Sequence, residues 1–233
     1  MNTVNTRKKF FPNVTDEEWN DWTWQVKNRI EKIDDLKKYD VNIAYVTPSH
    51  QFPTGTIMSI SRRTELLNWA NENFNCYIIE DDYDSEFKYT GRPIPALKAS
   101  DINDKVIYLG SFSKSISPAI RVSYLVLPKA LLNIYQKKLP YFICPVPTLN
   151  QKILYRFIKD GYFVKHINKM RTLYKKKREY LVNTIKMYSS EILGKEISIQ
   201  GADAGLHLVI KLNKKINEKM FLKECLENSL QLY

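Results

Sequence analysis

The stretch Ser111-Phe112-Ser113-Lys114-Ser115-Ile116-Ser117-Pro118-Ala119-Ile120-Arg121 holds the residues best suited to chemistry. A lysine directly after an apolar strand, set among hydroxyls, can reach an aldehyde and form a Schiff base, provided that it spends time uncharged. Serine hydroxyls and an arginine can hold a phosphate, the arginine in a two-pronged manner. Upstream, Glu80-Asp81-Asp82-Tyr83 closes another apolar strand. A carboxylate there could pair with a protonated ring nitrogen, and the tyrosine could hydrogen-bond a ring oxygen. The same residues also fit plainer structures: a surface loop carrying one basic residue, and a solvated turn after a strand.

These residues need a frame to position them. Short apolar runs predict strands at 41–46, 76–79, 106–110 and 122–127, linked by a helix over 61–71 and by longer connections. Strands of this kind point to an α/β sheet covered on both faces. Beyond residue 149 the pattern turns helical, over 149–158 and 166–187. It then gives strands near 197–199 and 206–210 and a last helix from Phe221 to Leu230. Residues 1–39 differ, holding Trp19, Trp22 and Trp24 of the four tryptophans. Thr15 and Glu18 form a capping-box pattern there, and Trp22, Val26, Ile30 and Ile33 form an apolar helix face.

Composition excludes several classes. The 233 residues are 44% hydrophobic and 26% charged, as expected of a globular chain. The net charge of +11 raises a nucleic-acid reading. Its densest run, Lys175-Lys176-Lys177-Arg178, falls inside a helical pattern and reads instead as a solvated face. Cys76, Cys144 and Cys225 are scattered and imply reduced thiols, with neither a disulfide frame nor a zinc site. His50, His166 and His207 show no metal-ligand spacing. No run reaches the ~20 apolar residues of a membrane span, and no signal peptide is legible. A cytoplasmic location with no membrane partner is the expectation.

Residues 40–233 resemble the aminotransferase-like domain of MocR/GabR-type regulators of the GntR family, which belong to the fold-type I pyridoxal-phosphate (PLP) enzymes. The resemblance is carried by Tyr45-Val46-Thr47-Pro48-Ser49-His50-Gln51-Phe52-Pro53-Thr54-Gly55, by Ile79-Glu80-Asp81-Asp82-Tyr83-Asp84-Ser85-Glu86-Phe87 and by Gly110-Ser111-Phe112-Ser113-Lys114. His166-Ile167-Asn168-Lys169-Met170-Arg171 adds a match to the family's long interdomain helix. It implies a mostly parallel, mixed-sheet large domain over 40–160, and an interdomain helix with an incomplete α+β small domain over 161–233. It makes Lys114 the Schiff-base lysine, Asp81 the partner of the ring nitrogen and Tyr83 the partner of the ring oxygen. Ser111, Ser113 and Arg121 become phosphate ligands. Phe52 stands where many aminotransferases place an asparagine against the ring. The resemblance further implies PLP as cofactor, an amino acid or amine as substrate or effector, and a homodimer.

Relative to that family, the first half of the large domain, the winged-helix domain and the arginine that takes the substrate carboxylate are expected to be missing. Direct DNA binding is therefore not expected. Residues ~10–39 resemble the extreme N-terminus of lysine 2,3-aminomutase, without that enzyme's CxxxCxxC cluster motif, and so suggest a fusion with its joint near Tyr39-Asp40. Three readings follow: a transaminase-type enzyme, an effector-sensing part of a regulator, and a non-functional remnant.

Overall fold

The computed structural model describes residues 33–38, 41–91, 95–141, 143–192, 197–212 and 217–230. The tryptophan-rich helix and the Thr15–Glu18 cap lie outside the described residues. The chain divides into two compact units, Asp40–Lys211 and the remainder, residues 1–39 with 212–233. In the smaller unit, helices α1 (Ile33–Lys38) and α8 (Glu218–Glu227) are described, and Asn217 caps α8 by accepting from the Met220 N–H.

The larger unit is built on a four-stranded sheet of β1 (Ile43–Val46), β2 (Tyr77–Asp82), β3 (Val106–Ser111) and β4 (Ser123–Val126), in that spatial order. β1, β2 and β3 are parallel, whereas β4 returns antiparallel to β3. The connections carry α2 (Ile60–Glu72), α3 (Leu97–Ser100) and the single-turn α4 (Phe112–Ser115). α5 (Lys129–Lys138), α6 (Thr148–Lys159) and the long α7 (Tyr162–Ile192) follow. A separate pair, β5 (Ile197–Gln200) and β6 (Val209–Leu212), comes last.

The core forms on one face of the sheet. Along β2 the buried residues alternate as Ile78, Glu80 and Asp82, the period expected of a strand with one packed face. α2 lays Leu66, Trp69 and Ala70 against this layer, and Phe87, Leu97 and Val106 complete it. Two buried charges organise the surrounding loops. Arg63 donates to the carbonyls of Met58 (3.1 Å), Pro95 (2.8 Å) and Pro48 (2.8 Å). Glu80 accepts from the N–H groups of Leu97 (2.8 Å) and Lys98 (2.9 Å), the open donors at the start of α3.

The sequence led us to expect cover on both faces of the sheet. Instead, Ile43 and Tyr45 on β1 and Tyr124, Leu125 and Val126 on β4 are exposed, with no packing layer over them among the described residues. The basic run was also read too simply. Lys175, Lys176 and Lys177 are solvated, but Arg178 turns inward to donate to the Ala202 carbonyl at 2.6 Å.

Candidate functional site

Parallel pairing of β2 and β3 sets the site. Asp81 lies opposite Leu109 and Asp82 opposite Gly110, so the C-terminal ends of both strands open side by side. That end is where open α/β sheets bind ligands. At the end of β3, Ser111 caps α4: its hydroxyl accepts the Ser113 N–H at 3.2 Å. This single turn carries Lys114, whose side chain is exposed and whose ammonium lies 4.5 Å from the centroid of the Tyr83 ring. Ser115 beneath it is buried, and its carbonyl meets His166 Nε2 at 3.1 Å, tying the lysine turn to α7.

The two neighbouring aspartates have different fates. Asp82 faces the core and accepts from Ser85 and Tyr108, each at 2.7 Å. Asp81 points to the open face, where it accepts the hydroxyl of Tyr45. Tyr83 donates its hydroxyl to the His50 carbonyl at 2.6 Å. Burial, then the nearby carboxylates of Asp84, Asp81 and Asp82, push the Tyr83 hydroxyl well above its ordinary pKa, so it stays a donor.

Lys114, Tyr83, Ser111 and Ser113 thus stand together, with Asp81 at the adjacent strand end. Arg121 is exposed and occupies the left-handed region at φ 51°. A non-glycine residue there marks a sharp turn. The bond from Phe112 N–H to the Val122 carbonyl (3.0 Å) closes that turn back onto the lysine segment.

The structure also assembles a group that the sequence kept apart. His50 is buried, and its Nδ1 contacts Asp84 Oδ2 at 2.9 Å. The His207 ring lies 4.1 Å from it, centroid to centroid, with the edge of Phe52 against His207. Burial, then His50, lowers the His207 pKa below 6.5, and the charge of Lys114 acts in the same direction. The candidate ligand atoms of His50, Asp84 and His207 all lie within 4.8 Å of one another, so this triplet could meet a metal ion. Its evident work is bracing, because the same Asp84 oxygen also accepts the Leu206 N–H at 3.1 Å. Spacing along the chain carried no signal for this cluster. Tyr45, read from sequence as part of a strand and of the Tyr45–Gly55 motif, was likewise missed as a partner of Asp81.

A lysine at the mouth of parallel strands, with a carboxylate on the neighbouring strand and an aromatic ring beneath, fits a PLP-type transferase domain. The family profile described as aminotransferase class I and II matches residues 4–232, and the chain belongs to this PLP-dependent family. Two Bacillus subtilis proteins, the uncharacterized HTH-type transcriptional regulators YhdI and YdeL, are 44% and 41% identical over 200 and 201 residues. Each alignment covers 86% of this chain and 42% of the relative. Among solved structures, the multiple substrate aminotransferase of Thermococcus profundus aligns with a TM-score of 0.74 at 28% identity, over 89% of this chain and 51% of that one. The chain therefore spans about half the length of the proteins it matches. Separately, a 39-residue match, 17% of the chain, is 90% identical to L-lysine 2,3-aminomutase of Fusobacterium nucleatum, covering 9% of that enzyme. No described helix is long and apolar enough to cross a membrane.

Proposed function

We propose that this domain binds PLP through Lys114 and acts on an amino acid or related amine in the manner of a transaminase. The observation that carries the reading is the placement of an exposed lysine amine over the Tyr83 ring, beside the strand end that bears Asp81. The residues suit the group: the amine is accessible to an aldehyde, the open-face carboxylate suits a protonated ring nitrogen, and the serine-rich turn suits a phosphate. When bound, PLP supplies an aldehyde for the amine and a ring that withdraws electrons from the carbon being deprotonated. Lys114 would hold the cofactor, and its freed amine would serve as the general base for the proton on the substrate's α-carbon. Asp81 would keep a proton at the ring nitrogen, Ser111, Ser113 and Arg121 would hold the phosphate, and Tyr83 would serve the ring oxygen. Completion of the pocket across a homodimer belongs to the same proposal.

The test is direct. Purified chain mixed with PLP is expected to develop a visible absorbance band that Lys114→Ala abolishes. Absence of the band in the unaltered chain would overturn the reading. A second reading, effector sensing without turnover, is favoured by the higher identity of the two regulators. It predicts that the band forms and responds to an amine, yet no amino donor converts the cofactor to its amino form.

A further inference from the structure

The geometry points to Tyr45 as the positioning residue for the Asp81 carboxylate, and through it for the ring nitrogen of the bound cofactor. This inference rests on the PLP reading above and adds to it a residue that the lysine and aspartate motifs do not contain.

Sheet register supplies the first argument. Tyr45 of β1 pairs with Ile79 of β2. Ile79 and Asp81 are two apart on the same strand and therefore share a face. Tyr45 is thus the diagonal neighbour of Asp81, and its hydroxyl donates to Asp81 Oδ2. Diagonal contacts across a sheet are within reach of an aromatic side chain.

The second argument is conformational. The terminal torsion of an aspartate is broad and weakly restrained, so a carboxylate at an open strand end swings unless something holds it. Among the described residues Tyr45 is the hydrogen-bond donor that does so. It engages one oxygen and leaves Oδ1 for a second donor, which a carboxylate can accept without losing the first. Burial, followed by the hydrogen bond and charge of Asp81, raises the pKa of the tyrosine hydroxyl, so it remains a donor across neutral pH.

The third argument separates this role from a packing role. Tyr45 is 53% exposed, whereas the strand's packed side is formed by Ala44 and Val46, at 7% and 4%. The core does not depend on the phenol oxygen. Its contact is Asp81, the one of the two adjacent aspartates that the fold leaves on the open face.

The experiment is a titration with PLP of the full chain as wild type, Tyr45→Phe, Asp81→Asn and the double variant. Affinity is read from the visible band, with a pH titration of that band and a melting curve for each protein. Tyr45→Phe is expected to weaken PLP binding about tenfold, equivalent to ~1.4 kcal/mol, and to move the pH midpoint of the band while melting as the wild type does. Added to Asp81→Asn, it should change neither quantity further. Wild-type affinity and midpoint in Tyr45→Phe would overturn the inference, as would an equal loss in both backgrounds. A wild type that shows no band sinks the PLP reading itself, and this inference with it.

Discussion

Gly205→Ala tests whether the His50–Asp84 brace sets the geometry beside the candidate site. Gly205 lies at φ +71°, and a Cβ placed there would sit 1.9 Å from His50 Nδ1 and 2.5 Å from Asp84 Oδ2. The backbone cannot back away. Its N–H donates to the Phe87 carbonyl at 2.7 Å, and its carbonyl accepts from Tyr89 at 2.9 Å. Two costs add. The left-handed backbone costs an alanine roughly 1–2 kcal/mol. Separating His50 from Asp84, both 1% exposed, leaves the buried imidazole donor unpaired, at about 1–3 kcal/mol, while Asp84 keeps the Leu206 N–H. Gly161→Ala is the matched control. Gly161 has φ +78° but nothing within 4 Å of its Cβ position, so only the backbone cost applies. We expect Gly205→Ala to be about 2 kcal/mol less stable than Gly161→Ala, taking the middle of the range for one unpaired group. At this chain length that corresponds to a gap in Tm of roughly 4–8 °C. Thermal and urea unfolding followed by circular dichroism measure it. His50→Ala in the Gly205→Ala background should restore part of the loss by making room. Equal losses at both glycines would refute the brace as a stabilising element.

Arg63→Met is expected to destabilise the larger unit by about 3 kcal/mol or more, because its guanidinium serves three loop carbonyls at 3.1, 2.8 and 2.8 Å and methionine serves none. Urea unfolding reads this directly, and a loss below about 1 kcal/mol would be inconsistent with those bonds. His207 gives a pH prediction. Above its ordinary value of 6.5 the imidazole is neutral whether folded or not. Below 6.5 the unfolded chain binds a proton that the folded chain refuses, since burial, His50 and Lys114 hold its pKa down. Stability should therefore fall as pH drops from 6.5, and the fall should be smaller in His207→Gln. Melting temperatures of both proteins over roughly pH 8 to 5 check this. Taking the difference between them cancels the opposing effect of Glu80 and Glu86, whose pKa values burial raises.

The sequence by itself determined the local elements whose signals are local. Apolar runs announced β1 to β4, whereas the winding of the lysine stretch into the single turn α4, capped by Ser111, was not read from the sequence. Residue types in the Ser111–Arg121 stretch suggested Schiff-base chemistry, and the family resemblance carried by several motifs implied PLP. Other features were missed. α5 went unread although Leu131, Ile134 and Tyr135 stand at helical spacing, and none of its residues is buried. The strand read at 206–210 begins only at Val209, because the Leu206 N–H is committed to Asp84 and Gly205 is held by Phe87 and Tyr89. Cover on both faces of the sheet was inferred from hydrophobicity, which records what a strand could bury and not what packs against it. The resemblance already assigned Asp81 over Asp82, but what Tyr45 holds and that His50 meets His207 were decided by tertiary structure. Each depends on strand register or on segments far apart in the chain, and only parallel pairing and loop packing bring those side chains within hydrogen-bond reach.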